Sequence, residues 1–328
     1  MTDLSIIIVS YKGYNRLKQC LDSLKNLSGA ILKTEVIIVN NCPGDDLFVS
    51  LEEQYQGFRF VNNTVNGGYA NGCNLGVSFS SGKYILILNP DTIVTEKALI
   101  DLVSAARSNP SFIITSCRQI NEKGKQSIAW GPFPEFINLT GFMRALTGTG
   151  YKSQIRTKEG FSSEFFFPDW ISGSVILISR EKYDNLGGLD EDFWMYSEDV
   201  DLCRRAKKLG GEVAFCKDIT IEHNHGGSSR INKKTASLTK TEVIISRHIY
   251  INKHKEGIEK YMIHSFMVIN NLISFGIIAL GGLVFFFIPK LLLRTLVFLR
   301  ILEYYLLAFI RRTWLSPRSV NYLKNNNA

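Results

Sequence analysis

Residues 4–107 alternate between short apolar runs and amphipathic stretches. The apolar runs have the length and continuity of strands buried on both faces, and they are Ser5–Val9, Val36–Val39, Arg59–Val61 and Tyr84–Leu88. Between them, apolar residues recur at helical spacing in Asn15–Leu27, Tyr69–Phe79 and Glu96–Arg107. Repeated strand–helix units predict an α/β domain with a mainly parallel sheet flanked by helices.

Polar residues follow each of these strands. Ligands of such sheets bind beyond the carboxyl ends of the strands, which here read Ser10-Tyr11, Asn40-Asn41, Asn62-Asn63 and Asn89-Pro90-Asp91. A carboxylate at Asp91 suits a divalent cation that in turn holds a nucleotide diphosphate. The same tripeptide also fits a turn cap.

A glycine-rich segment, Asn66–Asn74, opens the third predicted helix. Small residues let a ligand approach the backbone, and helix N-termini favour phosphate. The segment is neither a dinucleotide-binding fingerprint nor a Walker loop. A turn with a helix cap is the alternative interpretation.

Three carboxylates fall within four positions at Glu198, Asp199 and Asp201, where a helical pattern begins. The helix dipole alone favours acids at this place. In a functional interpretation, Asp199 is a general base and Glu198 orients the acceptor or tunes its neighbour. Asp201 is expected to be structural, paired with Arg204 or Arg205.

Two further polar clusters lie close to predicted strands. Asp169-Trp170-Ile171-Ser172-Gly173 precedes the apolar run Val175–Ile178, and His223-Asn224-His225 leads into Gly226-Gly227-Ser228. An imidazole beside these glycines can complete a metal site or bind a phosphate, although a structural histidine is equally compatible with the pattern. Residues 118–165 show no clear periodicity and are interpreted as a loop region.

The chemistry of the chain changes near residue 262. Ser265–Ile288 holds no charged residue and would be roughly 36 Å long as a helix, enough to cross a bilayer. After Pro289-Lys290, residues 291–310 form a second apolar stretch whose charges occupy one half of a helical wheel, as in a helix lying in the membrane interface. A buried helical subdomain or an oligomer formed through these helices also fits. We therefore expect a catalytic domain over 1–255 and a membrane-association region over 256–328.

Charge and cysteine content narrow the function classes. The net charge of +8 arises wholly after residue 245, because the first 245 residues hold 27 basic and 27 acidic side chains. Nucleic-acid binding is therefore not expected, whereas basic residues beside apolar helices favour anionic lipid head groups. The six cysteines include no CxxC pair, which argues against a zinc site and favours a reducing compartment.

In their order and spacing, these motifs resemble the GT-A fold glycosyltransferases of family 2, most closely the rhamnosyltransferase-like branch. The resemblance covers about residues 4–250. The motifs that carry it are Ile8-Val9-Ser10-Tyr11, Asn66-Gly67-Gly68-Tyr69-Ala70-Asn71, Leu88-Asn89-Pro90-Asp91-Thr92, Asp169-Trp170-Ile171-Ser172-Gly173, Ser197-Glu198-Asp199-Val200-Asp201-Leu202 and His223-Asn224-His225-Gly226-Gly227-Ser228.

The resemblance implies roles for individual residues. Asp91 matches the metal-binding acid of the family's DxD motif, Asp199 matches the catalytic base beside Glu198, and His223, with His225 second, matches the late histidine. The implied donor-binding positions are Ser10, Tyr11, Asn40, Asn66, Gly67, Asn71 and Asn89, and the implied substrate-binding positions are Asp169, Trp170 and Gly173.

Two positions depart from the family pattern. Asn89 replaces the first acid of DxD, so that Asp91 would hold the cation with water and phosphate oxygens. Asn40 stands where many relatives have an aspartate near the nucleotide base. The departures bear on metal affinity and on nucleotide preference respectively.

By this resemblance the chain is an inverting glycosyltransferase that uses Mg²⁺ or Mn²⁺ and a nucleotide-diphosphate sugar, with dTDP-L-rhamnose as the expected donor. Its expected acceptor is a lipid-linked saccharide at the cytoplasmic face of a bacterial inner membrane, in surface polysaccharide synthesis. The rival hypotheses are a sugar nucleotidyltransferase and a membrane-attached, non-catalytic binding protein with a transferase fold.

Overall fold

The computed structural model describes residues 2–139, 164–224, 232–285 and 287–327, which divide into two compact units. Of these residues, the first unit comprises 2–133, 164–190 and 198–224, and the second comprises 134–139, 191–197, 232–285 and 287–327. Residues 232–255, expected to belong to the catalytic domain, thus lie in the second unit. The domain boundary at residue 255 stays a prediction.

A central sheet organises the first unit. Its strands are β1 (Leu4–Ser10), β2 (Thr34–Asn40), β3 (Arg59–Asn62), β4 (Tyr84–Leu88), β5 (Thr92–Ile93), β6 (Phe112–Ile120), β8 (Phe165–Phe166), β10 (Val175–Ser179) and β11 (Glu212–His223), while β7 (Trp130–Gly131) pairs with β9 (Trp170–Ile171). Within the described ranges, the order is β3-β2-β1-β4-β10-β6-β11-β5, with β8 beside β11. Strands β1 to β4 are parallel, β10 runs antiparallel to β4 and β6, and β11 is parallel to β6.

Helices cover both faces of this sheet. They are α1 (Tyr14–Lys25), α2 (Asp46–Gln54), α3 (Gly68–Ser78), α4 (Glu96–Ser108), α5 (Arg180–Leu186) and α6 (Glu198–Lys208). Because side chains alternate along a strand, Leu4, Ile6 and Ile8 of β1 pack on the side of α1 and α4, and Ile7 and Val9 pack on the side of α3 and α6. The predicted α/β class is confirmed.

Two long strands were missed by the sequence analysis. β6 carries polar residues in its second half, and β11 alternates apolar with charged residues near its end. The loop region expected over 118–165 was therefore wrong at its start, because residues 118–120 belong to β6, and it also contains β7 and the first residue of β8. Residues 140–163 of that stretch lie outside the described residues.

The second unit contains α7 (Lys233–His254), α8 (Gly257–Val284), α9 (Pro289–Arg311) and α10 (Val320–Asn327). The break expected at Pro289 is present, with the proline in the first turn of α9. Part of α8, Gly257–Gly282, is long and apolar enough to cross a membrane by length and composition. An 18-residue window within it has a mean hydropathy of 1.7, and 22% of that window is buried in the protein.

A buried polar chain ties α7, α8 and α9 together. The Asn271 side chain donates a hydrogen bond to the Tyr305 hydroxyl oxygen at 2.9 Å. The Tyr305 hydroxyl can then donate its own proton to His248 Nε2, which lies 3.0 Å away. His248 Nδ1 must then carry a proton, which it donates to His264 Nδ1 at 2.8 Å. The Trp314 ring stacks on both imidazoles, at centroid distances of 4.5 and 4.3 Å. The chain ends at His264, whose Nε2 is buried without a hydrogen-bond partner among the described residues.

The close packing of α3 on β1 yields a prediction about stability. A Cβ atom added at Gly76 would lie 2.5 Å from Ile7 Cγ2 and 3.0 Å from Val39 Cγ2. We expect Gly76→Ala to lower the free energy of unfolding by about 1–3 kcal/mol, because helix or strand must shift. Gly57→Ala is the matched control, since nothing lies within 4 Å of its added Cβ. Urea denaturation of both variants measures the difference, and equal stabilities would contradict the packing described.

Candidate active site

Asp199 lies in the first turn of α6 and is held by two backbone groups. Its Oδ2 accepts a hydrogen bond from the Gly173 N–H at 2.7 Å, and its Oδ1 accepts one from the Val200 N–H at 2.8 Å. Tyr196 and Ser197, just before the helix, both have positive φ angles, of 70° and 66°. Such backbone is unfavourable for residues other than glycine. The entry into α6 is therefore strained where it delivers the acidic pair.

Glu198 and Asp199 have contrasting electrostatic surroundings. Burial raises the pKa of Glu198 well above that of an ordinary glutamate, and the adjacent Asp199 carboxylate adds to the rise. Within the described residues, Glu198 Oε2 has no hydrogen-bond partner. Burial also raises the pKa of Asp199, but the N–H groups of Gly173 and Val200 stabilise its ionised form and limit the rise. The surroundings thus favour a protonated Glu198 beside an ionisable Asp199.

Asp201 has a structural role. Its carboxylate accepts from Arg205 Nε at 2.7 Å, one helical turn away, and Arg205 also donates to the carbonyls of Leu186 and Gly188. The expected pairing of Asp201 with a helix arginine is confirmed, and it anchors α6 to the turn that follows α5.

Asp91 and His223 form a second cluster. Asp91 follows β4, His223 ends β11, and His223 Nε2 lies 3.1 Å from Asp91 Oδ1. The His223 side chain is only 4% exposed and that of Asp91 12%, so the pair is shielded from bulk water. The Asn224 N–H donates to the Asp91 carbonyl at 2.8 Å, which holds the two strand ends together.

A carboxylate and an imidazole are suitable donors for a divalent cation. Groups of three or more histidine, cysteine or acidic residues that could hold a metal do not occur in the described part of the chain. Two protein donors are nevertheless the pattern expected of a Mg²⁺ or Mn²⁺ ion that also binds substrate phosphates and water. Asp91 and His223 fit such an ion. His225, the second predicted histidine, lies outside the described residues.

The loop Ser172-Gly173-Ser174 connects the two clusters. The Gly173 N–H binds Asp199, while its carbonyl oxygen lies 2.9 Å from the Tyr69 hydroxyl, which is also 3.0 Å from Asn89 Oδ1. The Asn89 N–H in turn donates to the Ser174 carbonyl at 3.0 Å. The Asn-Pro-Asp segment and the acid of α6 therefore share one supporting loop.

Asparagine side chains form a network at the carboxyl ends of β2 and β3. Ser10 pairs with Asn40 across β1 and β2, and Asn40 pairs with Asn62 across β2 and β3, so the three lie in one row. Further amide hydrogen bonds of 2.7–3.0 Å join them to the start of α3, namely Asn40 to Asn62, Asn63 to Asn41 and Asn71, and Asn41 to the Gly68 carbonyl. The predicted donor-binding residues of β1, β2 and α3 are thus brought together.

The remaining predicted positions have local structural partners. Tyr11 follows β1 and is partly buried, and the Asn66 side chain accepts from the Gly68 N–H at 3.3 Å beside Gly67, the N-cap of α3. Asp169 accepts from the Phe133 N–H at 3.1 Å and lies 3.5 Å from Lys207 Nζ. Trp170 donates its indole N–H to the Pro132 carbonyl at 2.7 Å. Gly173 alone of the three predicted substrate positions touches Asp199.

Tyr69, Gln119 and Ser174 were missed as site residues. Tyr69 lies inside the motif Asn66–Asn71, which could have marked it as a candidate, but its contacts with Asn89 and Gly173 could not be inferred from that motif. Gln119 and Ser174 could not be found from local sequence, because their contacts depend on the pairing of β6 with β10 and β11. Ser174 is 55 positions from Gln119, and His223 is 104 positions from it.

Comparisons with known proteins identify the family of this chain. The profile of the family described as "Glycosyl transferase family 2" matches residues 5–203. Rhamnosyltransferase WbbL of Escherichia coli (strain K12) is 28% identical over 239 residues, covering 70% of this chain and 86% of that protein. The N-acetylglucosaminyl-diphospho-decaprenol L-rhamnosyltransferase of Mycobacterium tuberculosis (strain CDC 1551 / Oshkosh) is 26% identical over 250 residues, covering 70% of this chain and 78% of that protein.

A solved structure resembles the fold. The crystal structure of GalNAc-T7 with UDP, GalNAc and Mn²⁺ superposes with a TM-score of 0.53 at 15% identity, covering 75% of this chain and 48% of that one. At this identity the likeness concerns the fold alone, and it confirms the predicted GT-A architecture.

The acidic pair yields a prediction about pH. The raised pKa of Glu198 means that the folded protein keeps a proton on this side chain, whereas the unfolded chain releases it near the ordinary glutamate pKa of about 4.3. The stability of the wild type therefore falls as the pH rises from about 4.3 towards the pKa of Glu198 in the folded protein. Glu198→Gln keeps the shape of the side chain but cannot ionise. Over this pH range we therefore expect its free energy of unfolding to rise relative to that of the wild type. Urea denaturation at a series of pH values measures the difference. Glu53→Gln, at an exposed acid, is the control, and parallel curves for wild type and Glu198→Gln would contradict the assignment.

Proposed function

We propose a specific reaction for this chain, which belongs to glycosyl transferase family 2 and is therefore a glycosyltransferase. The reaction transfers a sugar, with inversion, from a nucleotide-diphosphate donor to a hydroxyl of a lipid-linked saccharide. One observation carries the proposal: a single loop, Ser172-Gly173-Ser174, supports both Asp199 and the segment that contains Asp91. An acid that can act as a base and an acid that can hold a cation are what this reaction requires.

Asp199 takes the proton of the acceptor hydroxyl in the proposed reaction. Burial raises the pKa of Asp199, which makes its carboxylate a stronger base, and the N–H groups of Gly173 and Val200 favour the ionised form and limit the rise. Direct attack by the acceptor oxygen inverts the sugar centre, so no covalent intermediate on the enzyme is needed. Glu198, held protonated, places no second negative charge beside the base.

Asp91 and His223 would hold the divalent cation. When bound, the cation supplies positive charge that stabilises the leaving nucleotide diphosphate. Nucleotides bind to α/β sheets at the carboxyl ends of the strands. In this protein those ends carry the row of Ser10, Asn40 and Asn62, and the N-terminus of α3 lies beside them.

The donor is proposed to be dTDP-L-rhamnose. The support is that both relatives described above are named as rhamnosyltransferases and that the Asn-Pro-Asp form of the metal motif resembles that branch. One of them is named for a diphospho-decaprenol acceptor. A lipid-linked acceptor in bacterial surface polysaccharide synthesis is therefore proposed here too.

The second unit supports a location at the cytoplasmic face of the membrane. On α8, Ile263, Met267 and Ala279 are buried, and the opposite face exposes the large apolar side chains of Met262, Ile269, Ile273, Ile277, Leu280 and Val284. On α9 the exposed apolar side chains are Leu299, Leu302, Leu306, Phe309 and Ile310. Exposed Lys290, Arg311 and Arg312 lie at the ends of α9, where anionic head groups would meet them. An oligomer formed through the same helices remains the alternative.

The assignment of the base is tested by Asp199→Asn. The amide keeps the size of the side chain but cannot accept a proton, so we expect turnover of the nucleotide sugar to fall by about 10²- to 10⁴-fold. Binding of the donor, measured by thermal stabilisation with Mn²⁺ and a panel of nucleotide sugars, should persist. Asp218→Asn, an exposed acid on β11, is the matched control.

Other outcomes favour the rivals. Unchanged turnover in Asp199→Asn would remove the base assignment. Release of pyrophosphate in place of a nucleoside diphosphate would identify a nucleotidyltransferase. A wild-type protein with neither turnover nor nucleotide binding would be a non-catalytic binding protein.

The membrane proposal is tested with lipid vesicles. Replacing Leu302, Leu306 and Phe309 together by serine removes exposed apolar surface from α9, so co-sedimentation with vesicles containing phosphatidylglycerol should fall at least tenfold. The control replaces the equally exposed Ile31, Leu47 and Ile128 of the first unit by serine. If both triple variants bind like wild type, α9 does not face lipid. If the α9 variant instead changes the oligomeric state, measured by analytical ultracentrifugation, the apolar face is a protein interface.

A further inference from the structure

Gln119 is a buried polar side chain to which neither the family motifs nor the proposed mechanism gives a role. It lies on β6, is 1% exposed, and stands between two parts of the site. Its Oε1 accepts a hydrogen bond from Ser174 Oγ at 2.8 Å and lies 2.7 Å from His223 Nδ1. The amide therefore joins the loop that supports Asp199 to the histidine that faces Asp91.

The sheet places Gln119 at this point. Gln119 is paired with Ile221 across the parallel strands β6 and β11, so that His223, two residues further along, is its diagonal neighbour on the same face. Ser174 directly precedes β10, the strand on the other side of β6. The contacts thus follow from strand register, and no short sequence motif contains them.

The chemistry of an amide oxygen fixes the tautomer of His223. In the structure the amide is oriented with Oε1 towards His223 and with Nε2 buried and without a hydrogen-bond partner among the described residues. Because an amide oxygen can only accept, this orientation places the proton of the 2.7 Å hydrogen bond on Nδ1. In the neutral imidazole, Nε2 is then an acceptor, and it lies 3.1 Å from Asp91 Oδ1, which is also an acceptor. Two acceptors at this separation repel each other unless a second proton on Nε2 or a bound cation lies between them. The orientation of Gln119 therefore suits a cation bound by the two.

We propose that Gln119 is a positioning residue that holds His223 as the Nδ1–H tautomer and so presents Nε2, together with Asp91 Oδ1, to a divalent cation. The inference rests on the proposed function, because the cation is the one that would accompany the nucleotide diphosphate. Gln119 itself touches neither cation nor substrate. Partners that fix the second ring nitrogen of a metal-binding histidine typically change metal affinity by 10- to 100-fold.

Two substitutions separate positioning from mere filling of space. Gln119→Met keeps the length of the side chain but has no acceptor for Nδ1–H, whereas Gln119→Glu keeps an acceptor in the same place. Mn²⁺ is titrated into each full-length protein, alone and with inorganic pyrophosphate, and free Mn²⁺ is followed by electron paramagnetic resonance. We expect the dissociation constant to rise at least tenfold in Gln119→Met and to stay at or below the wild-type value in Gln119→Glu.

The matched control is Ser116→Ala, which removes a buried hydroxyl from the same strand. Ser116 Oγ donates to the Val175 carbonyl at 2.7 Å and makes no hydrogen bond to His223, so this variant should bind Mn²⁺ like wild type. If Ser116→Ala weakens Mn²⁺ binding as much as Gln119→Met does, the effect is general loosening of β6 and the inference fails.

A second measurement needs no metal. The ¹⁵N chemical shifts of the His223 ring report the tautomer in the metal-free protein, at a pH where the imidazole is neutral, and His223→Asn identifies the signal among the five histidines. We expect the Nδ1–H form in wild type and a shift of population towards the Nε2–H form in Gln119→Met. A wild-type His223 in the Nε2–H form would overturn the proposal.

The outcomes also distinguish this inference from the proposed function. If wild type binds Mn²⁺ and Gln119→Met binds it equally well, the positioning role is wrong and the transferase proposal is untouched. If wild type binds no Mn²⁺ with or without pyrophosphate, the metal requirement of the proposed function is wrong and the inference falls with it.

Discussion

The hydrogen bonds of the loop Ser172-Gly173-Ser174 are the constraint on which the rest of the site depends. The backbone of Gly173 binds Asp199 on one side and the Tyr69 hydroxyl on the other, and Ser174 binds both the Asn89 N–H and Gln119. A Cβ added at Gly173 would lie at an ordinary contact distance of 3.5 Å from both Asp199 and the Tyr69 ring, so the backbone hydrogen bonds of residue 173 matter here and the absence of a side chain does not. Elements separated by more than 100 residues thus converge on three consecutive positions.

Burial and ionisation oppose each other in the acidic pair, and the local backbone decides which group ionises. Both carboxyl groups have raised pKa values because water is largely excluded from them. Asp199 recovers part of this cost from two backbone N–H groups, while Glu198 Oε2 has no such partner among the described residues. Neighbouring acids whose surroundings separate their protonation states are characteristic of acid–base sites. The strained turn at Tyr196 and Ser197 is consistent with a helix start placed for this purpose.

Local patterns in the sequence predicted the parallel half of the sheet well and the other half poorly. β1, β2 and β4 are continuous apolar runs because helices cover both faces, and this signal is visible without partners. β6 and β11 carry Gln119, Glu222 and His223 near their ends, so their polar residues obscure the strand pattern at the point where the site lies. Glu198 and Asp199 stood out as an acidic cluster, whereas the role of Tyr69 and Gln119 depends on contacts across the sheet that no local pattern encodes.

The second unit combines an apolar exterior with a polar interior, and the two features are physically related. Helices α8 and α9 expose leucine, isoleucine and phenylalanine on faces opposite their buried sides, so apolar contact alone would not determine which side of each helix packs inwards. The polar chain from Asn271 through Tyr305 and His248 to His264 supplies that information, because rotating any of these helices would break hydrogen bonds between buried or partly buried groups. Burial and the neighbouring His264 and Arg247 hold the pKa of His248 well below that of an ordinary histidine, which keeps the ring neutral and preserves the direction of the chain. A polar core of this kind lets the outer apolar faces serve a surface, lipid or protein, without competing for the interior.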